Sequence, residues 1–117
     1  MKSFFVGKLR SLFPELENEI NGLLEEYPEV YLHLIFGDVF NPYLLDLLKD
    51  PQDNQTNLLK AGELLEDMAC SDTEIQEVLV TTILERLSDH PEQLSTFRPF
   101  AGQHTIQFID EIAEFFC

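Results

Sequence analysis

Apolar residues recur along this chain at intervals of three and four, the spacing that aligns them on one face of an α-helix. Phe5, Leu9, Leu12 and Phe13 make the first stripe, with Ser3 placed to cap it. Pro14 suits the first turn of a second helix, whose stripe is Leu16, Ile20, Leu23 and Leu24. Pro28 ends that helix and opens the next. The segment 29–40 is nearly all apolar, with Val30, Tyr31, Leu32, Leu34, Ile35, Phe36, Val39 and Phe40. Its β-branched and aromatic residues also suit a buried strand, but no second strand exists to pair with it, so helix is the expectation. Gly37 is expected to loosen this helix near its end, and Asn41-Pro42 reads as the N-cap and first residue of another over 43–49.

The polar stretch 50–55 reads as a loop. Leu58, Ala61, Leu65, Met68 and Ala69 then resume the helical rhythm. Ser71 followed by Glu74 matches a capping box, so a new helix is expected near Asp72, carrying Ile75, Val78, Leu79, Thr82, Ile83 and Leu87. A short helix over 91–97 and a turn at Pro99, Ala101 and Gly102 precede a last apolar face of Ile106, Ile109, Ile112, Ala113 and Phe116. No segment alternates with period two. The expected fold class is therefore all-α, a single domain over 1–117 built as a compact bundle of about seven or eight short helices. Within it, 55–69 and 72–87 form an antiparallel hairpin of the size of one HEAT-like unit.

Charge changes this picture more than composition does. Seven Lys and Arg stand against 22 Asp and Glu, a net charge of −15. Nucleic-acid binding needs clustered cations, so no direct nucleic-acid partner is expected. Residues 1–13 carry Lys2, Lys8 and Arg10 and no acid, whereas 14–48 hold eight acids and 61–85 hold seven, both without Lys or Arg. Helical spacing places Glu63, Glu66 and Asp67 opposite one apolar stripe, and Glu74, Glu77 and Glu85 on one face of the next helix. Asp110, Glu111 and Glu114 lie unopposed near the end of the chain. These nine acids are the expected partner-binding residues, and the polar faces of the hairpin are expected to merge into one anionic patch. The basic first helix is expected to pack on the acidic body in preference to a membrane.

Chemistry is sparse. His33, His90 and His104 are far apart in sequence; His33 is expected to be a satisfied core residue, His90 a turn residue, and His104 to have no nucleophile nearby. Cys70 reads as a small buried hydrophobe. Glu29 and His33 are four apart, a spacing that a local ion pair explains better than a metal. Five isolated glycines make no phosphate-cradling loop, and no zinc-protease or nucleophile-elbow motif occurs. The expectation is a protein that is not an enzyme and takes no cofactor or metal. Phe115 and Phe116 are expected to pack under the last helix. With neither a signal segment nor a membrane span, the expected location is cytoplasmic, with Cys70 and Cys117 reduced.

Three segments carry a resemblance: 36–43 (FGDVFNPY), 63–68 (ELLEDM) and 82–87 (TILERL). With the small size and the closing amphipathic helix, they resemble a largely uncharacterised group of small acidic all-helical bacterial proteins, similar to immunity proteins of contact-dependent and polymorphic toxin systems. That resemblance implies a cytosolic protein that binds and neutralises one cognate toxin, which for many such systems is a cationic nuclease. A generic adaptor or regulatory protein-binding module is the alternative, and a metal-dependent or hydrolytic enzyme is a second rival, which requires His33 or His104 to converge with carboxylates in a pocket. The resemblance supplies no catalytic residue.

Overall fold

Each predicted apolar stripe forms a helix, and no strand occurs among the described residues. The computed structural model describes residues 2–27, 29 and 31–116. Expectations for Pro28, Val30 and Cys117, and for the side chains of Lys2, Ser3, Phe115 and Phe116, lie outside the described residues. Helix α1 is Lys2–Leu12, and α2 enters through a 3-10 turn at Pro14–Leu16 before continuing over Glu17–Glu26. Helix α3 is one rod over 32–49: α-helical at Leu32–Ile35, π-helical at Phe36–Phe40 and α-helical again at Asn41–Lys49. Helix α4 is Gln55–Ala69. Helix α5, over 73–88, has the same plan, with a π-helical stretch at Val78–Leu84 between Thr73–Glu77 and Glu85–Ser88. Helix α6 is Pro91–Phe97, followed by a 3-10 turn at Arg98–Phe100, and α7 is Gln103–Phe116.

Three expected caps are displaced. The first helix starts at Lys2, so Ser3 lies inside its first turn. Asn41 sits mid-helix in right-handed helical geometry, and its buried amide donates to the Thr82 carbonyl at 2.6 Å, which joins α3 to α5 instead of starting a helix. Asp72, not Ser71, caps α5: its carboxylate accepts the Ile75 N–H at 3.0 Å. An Asp is as good an N-cap as Ser, and the helix begins one residue later than the capping-box reading places it.

Helix α4 runs through the middle of the core. Leu58, Ala61, Leu64, Leu65 and Met68 are fully buried, and α1, α3, α5 and α7 all pack on this helix. Phe13, Phe36 and Phe40 fill the other half, with Phe13 and Tyr43 edge-on at 5.2 Å and Phe36 and Phe40 at 5.6 Å. Each fully buried Leu or Phe contributes roughly 1.5–3 kcal/mol relative to exposure. Gly62 permits the closest backbone approach: a Cβ there would lie 1.9 Å from the Phe100 carbonyl oxygen. The turn at Arg98–Phe100 thus crosses α4 at its one glycine and delivers the start of α7 to the end of α4. The Cα radius of gyration, 13.5 Å, matches the ~13 Å of a compact domain of about this length.

Candidate functional site

The nine acids expected to meet a partner divide into two groups. Asp67 pairs with Lys8 of α1, as the packing of the basic first helix on the acidic body requires. Asp110 pairs with Arg98 at 3.1 Å. Glu66 is bound to α7. Glu74 also has an interaction partner. Among the described residues, Glu63, Glu77, Glu85, Glu111 and Glu114 have no ion-pair partner, and all but the half-buried Glu85 are exposed. The single merged patch expected on the hairpin is therefore interrupted: Lys8 of α1 neutralises the exposed Asp67, and the start of α7 engages Glu66.

Glu66 is where three elements meet. Gly102 precedes α7, and its carbonyl accepts the Ile106 N–H at 3.0 Å, the first bond of the helix. A glycine has no side chain to cap the free N–H groups that follow, and the Glu66 carboxylate does so from α4. One oxygen, Oε1, accepts the Thr105 N–H and hydroxyl, both at 2.9 Å. The other, Oε2, accepts the His104 N–H at 3.1 Å and lies 2.7 Å from His104 Nδ1. A Cβ on residue 102 would stand 2.4 Å from Glu66 Oε1, so only glycine leaves room for this arrangement. Burial by itself pushes the Glu66 carboxyl up, but the Thr105 N–H, the His104 side chain, the His104 N–H and the Thr105 hydroxyl overcome it and hold the group down at about 2. Hydrogen bonds to the charged form favour that form.

Cys70 completes the cluster. Its Sγ is 3.4 Å from His104 Nδ1 and 3.9 Å from Glu66 Oε2. Two expectations are corrected here. Cys70 is exposed, because it follows the last turn of α4 and faces outward, and His104 does have a nucleophile beside it. Sequence distance hid the pair, which are 34 residues apart. The available signal was that Glu66 and Cys70, four apart, share a helix face. A convergence of His104 with a carboxylate is also what a hydrolytic or metal-dependent enzyme would show. Here thiol and carboxylate both address the same ring nitrogen. A relay of the Ser-His-Asp type needs them on opposite nitrogens.

A second polar focus joins the two π-helical stretches. Thr82 is 4% exposed; its hydroxyl shares a hydrogen bond with His33 Nδ1 and its carbonyl takes the Asn41 amide. His33 is exposed, not a core residue, although its Nδ1 still meets the Thr82 hydroxyl. Glu29 accepts from the Tyr31 hydroxyl at 3.0 Å. Wide turns of this kind recur at functional sites.

A family model matches residues 6–117. The chain belongs to that family, described as Domain of unknown function (DUF7674). The DUF7674 match takes in Glu66, Cys70, His104 and all nine predicted partner-binding acids. No curated protein and no solved structure matches the chain. No helix among the described residues is long and apolar enough to cross a membrane.

Proposed function

We propose that this DUF7674 protein is a non-enzymatic binding protein of the cytoplasm that neutralises a cognate toxin, a cationic nuclease domain, through its acidic helical faces. The observation that carries the reading is the balance of ion pairs. Three of the cations, Lys8, Lys49 and Arg98, are already engaged within the chain, while Glu63, Glu77, Glu85, Glu111 and Glu114 have no ion-pair partner among the described residues. Their mutual repulsion is relieved when a positive surface docks, and the same field steers such a surface during encounter. Charge-assisted hydrogen bonds to Arg and Lys of the partner supply orientation.

Co-expression with nuclease toxin domains of the same host, beginning with any encoded beside it, tests the reading. Growth should be rescued, and the purified pair should associate markedly more slowly as salt rises. The combined change Glu77→Lys, Glu85→Lys and Glu111→Lys should slow association by at least tenfold while leaving the fold intact by circular dichroism. Growth arrest that persists, or an association rate indifferent to salt, would reject it.

One observation favours the adaptor alternative. Tyr27 and Tyr31, 42% and 49% exposed, stand edge-on at 6.4 Å. They line a groove of about 520 Å3 with His33, Leu34, Asp38 and Arg86. A peptide held there would bind with little salt dependence and would be lost on Tyr27→Ala, not on reversal of the three acids.

A further inference from the structure

We infer that Glu66, Cys70 and His104 form a binding site for one divalent transition-metal ion of the zinc class, at the joint between the end of α4 and the start of α7. This departs from the sequence-level expectation of no metal, and it stands independently of the toxin reading. A thiolate, an imidazole nitrogen and a carboxylate oxygen are the three donor types zinc takes from proteins. Among the described residues no other such group of His, Cys, Asp and Glu converges.

The geometry is that of chelation. Donors at ~2.0–2.3 Å around a tetrahedral ion stand roughly 3.3–3.7 Å from one another. Here Sγ to Nδ1 is 3.4 Å, Sγ to Oε2 is 3.9 Å and Nδ1 to Oε2 is 2.7 Å. The last is a hydrogen bond that must open by about half an ångström as a metal replaces its proton. That three donors face one point, with both Sγ and Oε2 addressing the same ring nitrogen, is what a metal requires and a proton relay cannot use.

The surroundings support the same assignment. The Glu66 carboxylate is already oriented by the Thr105 N–H and hydroxyl and by the His104 N–H, the outer hydrogen bonds that fix a ligand in place. Cys70 is exposed and the His104 side chain is 52% exposed, which leaves an entry path and a fourth position for water. A thiolate and a carboxylate together balance a divalent charge, and the net −15 of the chain raises the local cation concentration. Sulfur and nitrogen donors select against Mg2+ and Ca2+, which take oxygen. On binding, Cys70 releases its thiol proton to solvent, and the ring proton of neutral His104 passes from Nδ1 to Nε2 by exchange with solvent, which frees the Nδ1 lone pair for the metal.

The test is titration of the reduced, tag-free chain with Co2+ and Zn2+ in excess Mg2+, which occupies the acidic surface. One equivalent of Co2+ should give a sulfur-to-metal charge-transfer band with the visible spectrum of a tetrahedral ion, and one equivalent of Zn2+ should abolish it. Cys70→Ser should remove the band, and both Cys70→Ser and His104→Ala should weaken Zn2+ binding by at least tenfold. Cys70 is exposed and the backbone bonds to Glu66 persist in His104→Ala, so both variants should fold as the parent does by circular dichroism. Absence of the band, or Zn2+ binding of unchanged affinity in folded Cys70→Ser, would overturn the site.

Discussion

At the scale of single residues, Gly62, Gly102 and the Glu66 carboxylate decide how the last third of the chain meets the rest. Gly62 lies under the Phe100 carbonyl, and backbone must move to admit even a methyl group. Gly62→Ala should destabilise the protein by roughly 1–3 kcal/mol despite the better helix propensity of alanine. Gly22, in the exposed middle of α2, has nothing within 4 Å of the place a methyl group would take, so Gly22→Ala should stabilise by roughly 0.5–1 kcal/mol. Urea midpoints of the two variants, moving in opposite directions, would check both. Glu66 makes a pH-dependent contribution. Its carboxyl is held at about 2 against an ordinary 4.5, so the charged form stabilises the native state above pH 4.5 and that stability is lost as pH falls through 2. In the presence of a chelator, the parent should lose stability relative to Glu66→Gln across that window; a difference that stays constant would contradict the capping role.

At the scale of elements, the decisive features are where helices begin and where they widen. Asp72 holds the Ile75 N–H, so Asp72→Ala should cost about 1 kcal/mol. Ser71→Ala should change the thermal midpoint little, since Ser71 stands outside the cap; the reverse order would restore the capping-box reading. The π-helical stretches in α3 and α5 pack on each other and place Asn41 and His33 on Thr82. Asn41→Leu would leave that face without its hydrogen bond, and removing a buried polar partner costs about 1–3 kcal/mol.

At the scale of the whole molecule, charge opposes compactness. The protein measures 39 × 33 × 21 Å and carries −15. Charges reach across ~30 Å at 0.01 M salt but only ~8 Å at 0.15 M. At low salt most of the acids feel one another, and at physiological salt only neighbours do. The urea midpoint should therefore rise as NaCl increases over this range. A midpoint that falls would mean that the internal pairs such as Lys8–Asp67 outweigh the repulsion.

The apolar rhythm by itself determined the all-α class, the helix 55–69 and the short helix 91–97, because each stripe must be buried against another. The distribution of charged residues likewise distinguished the acidic body from the basic first helix. Tertiary structure alone decided which acids remain at the surface. Glu66 and Glu63 look alike on one helix, yet only Glu66 faces the bare N–H groups that Gly102 leaves at the start of α7. The same holds for Asn41, a cap by local rules and a buried cross-link in three dimensions, and for Cys70 and His104, which meet only because the chain turns at Phe100 over Gly62. Local patterns report what a residue does to its own helix. Contacts between distant segments depend on how the stripes stack, and that information is spread over the whole chain.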